Sequence, residues 1–147
     1  MINEFRKVFE RDIAKLRQEI SSYRNENRIW HTDKNIANSA GNLCLHLVGN
    51  LKTYIGKDLG GVDYIRDRES EFTRKGLTKD ELIVMVDSTL SAVKRAFDTL
   101  SDDRLEDEFP TLVFEQKTSV AFMLIHLAAH LDYHLGQINY HRRLLDD

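Results

Sequence analysis

Histidines are concentrated at the C-terminal end of the sequence, where four of the six lie within the last 22 residues. His126, His130 and His134 follow one another at intervals of four residues, which on a helix places them along one face. Imidazoles four residues apart can bind one metal ion, because their Cβ atoms lie about 5–6 Å apart. His126 and His134 are two turns apart, roughly 12 Å along the axis, and cannot both bind the same ion. Spacing alone therefore leaves two candidate pairs, His126 with His130 and His130 with His134.

A metal site in a helical bundle needs a further ligand from another helix, and His46 is in a suitable place. It lies in a charge-poor segment, on the same helical stripe as Asn42 and Asn50. A neutral polar stripe beside apolar residues is typical of a pocket lining. A buried seam of hydrogen-bonded His, Asn and Gln side chains is the alternative interpretation. Cys44 would point to the opposite side of the helix from His46 and is interpreted as a core residue.

Three neutral imidazoles would leave a divalent ion its full charge, which lowers the pKa of a bound water or thiol, or polarises a carbonyl. Such ligands suit zinc or nickel, with iron as an alternative. The zinc-protease motif is absent, because Leu131 follows His130 where those enzymes have a glutamate. Glycine-rich phosphate-binding motifs and the serine hydrolase motif are also absent.

Four segments are predicted to form the helices that position these histidines. They span roughly residues 3–23, 38–57, 78–97 and 118–145. Thr78 and Glu81 form a capping-box pattern at the start of the third segment. Asn38 or Ser39 is the candidate cap of the second segment, and the fourth begins at Thr118 or Ser119. Each helix must bury its apolar stripe, which predicts an all-α fold: one four-helix bundle over residues 1–147 with long inter-helix loops. The charge-poor second and fourth helices are expected to be buried on most sides.

The composition excludes several classes of function. The net charge of -3 lacks the basic footprint of nucleic-acid binding. No apolar stretch is long enough to span a membrane, and no signal peptide is visible. A single cysteine cannot form an internal disulfide, which favours a reducing compartment. We expect a cytoplasmic protein that acts on a small molecule, with no nucleic-acid or membrane partner.

The sequence resembles the DinB-like (YfiT-like) superfamily of metal-binding four-helix bundles over nearly its whole length. Two stretches carry the resemblance, NSAGNLCLHLVGN at residues 38–50 and HLDYHLGQI at residues 130–138, and the most similar branch is uncharacterised. The resemblance implies that His46, His130 and His134 bind one divalent metal ion, a choice that spacing left open. It places His126 beside the site and also implies a homodimer.

Several members of this superfamily are similar to S-transferases that use bacillithiol or mycothiol, or to maleylpyruvate isomerases, and others have no known activity. The resemblance therefore implies a metal-dependent S-transferase that joins a low-molecular-weight thiol to a small molecule. In that interpretation the pocket or the ligands would be supported by Asn42, Asn50, Tyr54 and Gln137. The alternatives are a metal-hydroxide hydrolase and a non-enzymatic, stress-responsive metal-binding protein whose metal is structural. No catalytic residue is predicted.

Two further features have simpler interpretations. The charge-rich run at residues 66–71 is interpreted as a solvated loop with local ion pairs, although Phe72 beside it indicates an apolar anchor. The alternative is a loop over the pocket mouth in which Arg66 or Arg68 meets an anionic substrate. His141, followed by two arginines, is interpreted as a positive charge at a helix C-terminus.

Overall fold

Helices account for most of the computed structural model, which describes residues 1–147. The α-helices are α1 (Ile2–Ser21), α2 (Ala40–Leu51), α3 (Arg68–Thr73), α4 (Lys79–Thr99) and α5 (Val120–Leu145). A π-helix, Lys52–Lys57, continues α2 without a break. The chain contains no β-strand, so the predicted all-α class is confirmed. A membrane-spanning helix is not found among these elements.

Capping hydrogen bonds confirm the predicted start of α4, and they choose Ser39 over Asn38 for α2 and Ser119 over Thr118 for α5. The Ser39 hydroxyl accepts from the backbone N–H of Asn42 at the start of α2, and the Ser119 hydroxyl does the same at the start of α5. Thr78 and Glu81 form a complete capping box at the start of α4. These side chains satisfy backbone donors that have no partner inside the helix, and so set where each helix begins.

The four long helices pack around one core. α1 lies against α4 and α5, and α2 lies against α4 and α5 with the short α3 on its remaining side. Because α2 is covered by three helices, all twelve of its residues are buried. The polar side chains of α2 must therefore find partners inside the protein.

The expectation that α5 is buried on most sides is wrong. Its inner face is buried, but Phe122, Ile125 and Tyr133 are exposed on the opposite face, and Tyr140 and Leu144 extend the exposed residues toward the C-terminus. The scarcity of charge in α5 therefore reflects an apolar outer surface as well as a buried inner one.

The link between α1 and α2 is fastened to the bundle. Trp30 lies against Gly41 of α2, where a Cβ would lie 2.6 Å from its ring, and its indole N–H donates to the Leu77 carbonyl at 3.0 Å. A side chain at position 41 would displace the indole. This contact fixes where α2 enters the bundle.

The two long connections differ from the predicted loops. Residues 58–76 contain α3, which the sequence analysis did not predict. Residues 101–117 contain a short 3-10 turn at Asp102–Arg104, and Glu108 forms an isolated antiparallel bridge with Ser119. The first connection matters most here, because α3 reaches the histidines.

Candidate metal centre

Three histidine side chains from two helices converge in the seam between α2 and α5. The ring nitrogens that His46, His130 and His134 offer lie within 4.8 Å of one another. The Nε2 atoms of His46 and His130 are 3.0 Å apart. No fourth histidine, cysteine or carboxylate belongs to the group. Of the two pairs allowed by spacing, the structure brings His130 and His134 to His46.

Helical geometry accounts for this convergence. His130 and His134 are one turn apart on α5, and their ring centroids are 4.6 Å apart. α2 places the ring of His46 at centroid distances of 4.9 Å from His130 and 5.3 Å from His134. The three rings meet edge to face rather than stacking.

A carboxylate from α3 fixes the orientation of His46. Oε1 of Glu71 lies 3.0 Å from Nδ1 of His46. An ionised carboxylate only accepts hydrogen bonds, so the imidazole donates its Nδ1–H and turns its Nε2 lone pair toward the other two rings. Metal-binding imidazoles in proteins are commonly supported by a carboxylate in this way.

Arg66 holds the same carboxylate from another direction. Its Nε and Nη2 donate to Oε2 and Oε1 of Glu71 at 2.9 and 3.0 Å, and the two side chains are only 14% and 6% exposed. Burial alone would raise the pKa of Glu71, but hydrogen bonds from His46 and Arg66 and the charge of Arg66 lower it below its ordinary value. The carboxylate is therefore ionised at neutral pH.

Gly49 makes room for this carboxylate. A Cβ at position 49 would lie 1.9 Å from Oε2 of Glu71, far inside contact distance. Residue 49 is three positions after His46 and therefore lies on a neighbouring part of the same helix surface. The absence of a side chain here lets Glu71 reach the imidazole.

The interpretation of residues 66–71 as a solvated loop is wrong. Glu71 is buried and ion-paired to Arg66, whereas Arg68 is exposed. The alternating charges of the run concealed the one acid that faces inward. Two signals could have identified it: the apolar Phe72, whose ring centroid lies 5.0 Å from that of His46, and a glycine one turn from a buried histidine.

Gln137 orients His134 as Glu71 orients His46. Its Oε1 lies 2.7 Å from Nδ1 of His134, one helical turn along α5. The imidazole N–H donates to the amide oxygen, which leaves the Nε2 lone pair of His134 free to face the cluster. A neutral amide thus supports the second histidine.

His130 is the central ring of the group, with the rings of His46, His126 and His134 around it. Its Nδ1 is buried and has no hydrogen-bond partner. Burial, and then the neighbouring His134 and His46, lower the pKa of His130 to about 4. Burial also lowers the pKa of His134, partly offset by its hydrogen bond to Gln137. Both rings are therefore neutral near pH 7, the form that binds a metal ion.

Asn42 has a structural position rather than a place in a pocket. Its side-chain amide donates to the backbone carbonyls of Glu71 and Arg74 at 2.9 and 2.8 Å, and its oxygen accepts from Ser39. These hydrogen bonds tie α3 to the start of α2. Asn42 therefore helps to hold Glu71 beside His46.

The other three predicted pocket residues lie in different surroundings. Asn50 is buried, and its Oδ1 has no hydrogen-bond partner. Tyr54 is half-buried beneath the guanidinium of Arg66, 5.7 Å from its ring centroid. The ring of His126 stacks on His130 at a centroid distance of 6.1 Å. His126 is thus a neighbour of the site but does not belong to the ligand group.

Two residues outside the cluster, Cys44 and His141, are both buried. Cys44 is a fully buried core residue, as interpreted, and burial raises the pKa of its thiol to about 12. The interpretation of His141 as a helix-terminal positive charge is wrong, because the ring is buried. Tyr23 donates its hydroxyl to Nδ1 at 2.6 Å, and Nε2 donates to the His31 carbonyl at 2.7 Å. Burial lowers the pKa of His141, so this hydrogen-bonded ring is neutral.

The residues of the cluster fit a divalent metal ion. In a tetrahedral zinc site with bonds of about 2.0–2.1 Å, ligand nitrogens lie roughly 3.3 Å apart. The observed group, with one pair at 3.0 Å and all members within 4.8 Å, requires only small side-chain adjustments. Neutral imidazole nitrogens suit zinc and nickel, and other divalent transition metals as well.

Comparison with known proteins gives one match. The model of the family described as "Protein of unknown function (DUF1572)" matches residues 1–147. No curated protein matches the chain. The match therefore spans the whole bundle, including the cluster and the α3 segment that supports it.

Proposed function

Because the chain belongs to the DUF1572 family, which is in the DinB-like superfamily, we propose that it binds one divalent metal ion through His46, His130 and His134. The observation that carries this proposal is a group of three converging imidazoles without a fourth protein ligand. Structural zinc sites use four protein ligands, whereas catalytic sites use three and leave a position for substrate or water. The ligand count thus favours an enzyme over a metal-stapled bundle.

The activity we propose is thiol-dependent S-transfer to a small molecule, with a low-molecular-weight thiol as co-substrate. A divalent ion supplies positive charge that lowers the pKa of a thiol brought to it. The protein ligands do not neutralise the charge of the ion, because the imidazoles are neutral and the negative charge of Glu71 is balanced by Arg66.

The protein side chains have separate tasks in this proposal. Glu71 and Gln137 hold the rings of His46 and His134 in place through their Nδ1 atoms. His126, stacked on His130, offers an imidazole nitrogen that can accept the proton lost by the thiol. His46 is buried and His130 and His134 are half-buried between α2 and α5, which limits the access of bulk water to the group.

Metal content is the first test. Untagged protein should contain about one divalent ion per chain after metal supplementation, measured by elemental analysis. The His130→Ala variant should lose it, and the His31→Ala variant, which changes an exposed histidine, should retain it. Metal-free protein under all conditions would contradict the proposed site.

Thiol conjugation is the second test. Cysteine, glutathione and bacillithiol are each offered with monochlorobimane, which becomes fluorescent when the thiol sulfur displaces its chloride. A rate that is lost upon chelation and in His130→Ala, but not in His31→Ala, supports the transferase. Metal-dependent hydrolysis of p-nitrophenyl acetate without any thiol-dependent rate would favour the hydrolase instead. Bound metal with neither activity would favour a structural role.

A homodimer is part of the same proposal. Phe114 and Phe122 are exposed with ring centroids 5.7 Å apart, and Ile125 follows on the same side of α5. Apolar side chains grouped on a surface commonly mark a protein interface. Sedimentation velocity should give a dimer mass for the wild type and a smaller mass for Phe122→Glu. A monomeric wild type would contradict this part.

A further inference from the structure

A cleft of about 680 Å³ lies beside the imidazole cluster. One wall is the link at residues 33–38, the other is the C-terminal half of α5, and Leu43 of α2 lies at its base. His134 is the one residue of the cluster that lines the cleft, together with Gln137, so the cleft reaches the edge of the cluster. Its volume is in the range of about 300–1,000 Å³ that is typical for small organic ligands.

The walls of the cleft are mainly apolar and carry no net charge. Three of the lining side chains are largely apolar and exposed to solvent, namely Ile36, Leu144 and the aromatic ring of Tyr140. Asp33 and Lys34 are the only acid and base among the lining residues, and their charges cancel. A ligand that matches these walls has an uncharged aromatic or branched aliphatic body.

Gln137 provides a polar contact at the end nearest the cluster. Its oxygen is used by the Nδ1–H of His134 at 2.7 Å, so its NH₂ group is the part left free to donate. That NH₂ group makes no hydrogen bond within the protein. It can therefore donate to an acceptor oxygen, such as a carbonyl, on a molecule in the cleft.

The chain just before the wall at residues 33–38 is anchored to the end of α5. His141 donates to the His31 carbonyl at 2.7 Å and accepts from Tyr23 at 2.6 Å. The carboxylate of Asp146 accepts from the backbone N–H groups of Arg24 and Asn25 at 2.8 and 3.0 Å. These hydrogen bonds fix residues 24–31 beside the end of α5, and the exposed residues 33–37 of the wall follow directly from that anchor.

We propose that this cleft binds the second substrate, an uncharged organic molecule with an apolar body and a carbonyl oxygen. Gln137 holds that oxygen and thereby places the molecule next to His134. Gln137 is thus a specificity residue that links ligand recognition to the orientation of one imidazole. This inference rests on the proposed function, because it places the molecule that receives the thiol in this cleft.

The test uses prodan, a neutral naphthalene ketone whose emission shifts to the blue in apolar surroundings. Zinc-loaded protein should bind it saturably with about one site per chain, and Ile36→Arg should weaken binding at least about 10-fold. Gln137→Leu should weaken binding about 3- to 10-fold, the effect of one hydrogen bond. N,N-dimethyl-2-naphthylamine, which lacks the ketone, should bind equally to wild type and Gln137→Leu. The matched control Val84→Arg changes an exposed residue of α4 that does not line the cleft and should bind prodan normally.

Replacement of zinc by Co²⁺ adds a test of proximity, because bound Co²⁺ should quench prodan held beside the cluster. The inference is overturned if Ile36→Arg leaves prodan binding unchanged. It is also overturned if Ile36→Arg dissociates a dimer, because the cleft would then be an interface between copies of the chain. Thiol conjugation without cleft-dependent binding leaves the proposed function standing and removes this site. Cleft-dependent binding without any thiol conjugation retains the organic ligand site but refutes the transferase.

Discussion

Replacement of Glu71 by glutamine tests whether the α3 carboxylate supports the metal centre. The amide has nearly the same shape and can still offer an oxygen to Nδ1 of His46, so the change removes charge rather than volume. It also leaves Arg66, whose side chain is 14% exposed, without its partner. The variant therefore separates the role of the negative charge from that of simple packing.

The expected loss of zinc affinity is about 10- to 100-fold, or about 1.4–2.7 kcal/mol. This estimate applies to residues that hydrogen-bond a metal-binding histidine, and the 3.0 Å contact between Glu71 and His46 is of that kind. Without metal, the Glu71→Gln variant should also be less stable than the wild type. Breaking a fully buried ion pair costs about 3–5 kcal/mol, and the remaining exposure of Arg66 makes the cost smaller here.

Zinc affinity is measured by competition with a chromophoric chelator, and Co²⁺ absorption reports the ligand geometry. Glu69→Gln is the matched control, because it removes the same charge from an exposed position on the same helix. The double variant Arg66→Met with Glu71→Gln removes the unpaired charge, and it should recover stability without recovering zinc affinity.

Two results would refute this reasoning. Equal zinc affinity in Glu71→Gln and Glu69→Gln would mean that the carboxylate does not support His46. Full recovery of zinc affinity in the double variant would mean that repulsion by Arg66, rather than the lost orientation of His46, caused the defect.

Further predictions concern the same region. Gly49→Ala should displace Glu71 and lower zinc affinity about as much as Glu71→Gln, at least about 10-fold; an unchanged chelator titration would contradict the role of the glycine. His130→Ala should lower zinc affinity at least about 100-fold and His126→Ala less than about 3-fold, and equal losses in calorimetric titration would count against the ligand assignment. Zinc at 100 times its dissociation constant should stabilise the fold by about 2.7 kcal/mol, seen as a higher melting temperature that chelation reverses. Metal-free protein should lose stability as the pH falls below about 6.5, because burial lowers the pKa of His130 to about 4 and also lowers the pKa values of His134 and His141, so that protonation favours the unfolded chain. Urea unfolding at pH 7.5 and pH 5 measures this loss, which should be smaller in His141→Asn.

The sequence was sufficient for the features that depend on neighbours along the chain. Helix starts follow from local hydrogen bonds between side chain and backbone. The capping box at Thr78 is confirmed, and α2 and α5 begin after Ser39 and Ser119, each one of the two neighbouring residues that the sequence offered. The all-α class follows from the periodic apolar stripes, and the resemblance to the DinB-like superfamily is confirmed by the family match. A helical turn brings residues four apart together wherever the helix lies, which is why the histidine spacing on α5 was informative.

Tertiary structure decided everything that depends on how separate helices approach one another. Spacing could not choose between His126 and His134; the contact of α2 with α5 brings His134 to His46. Glu71 is 25 positions from His46 in the sequence. The adjacent Phe72 marks this end of the run as apolar, but which acid reaches the imidazole depends on how α3 packs against α2. The contact of Glu71 with the imidazole exists because Gly49 lets α3 lie close to α2. Side chains far apart in sequence acquire their orientation, protonation and partners only from this packing, since burial and hydrogen bonding are properties of the assembled helices.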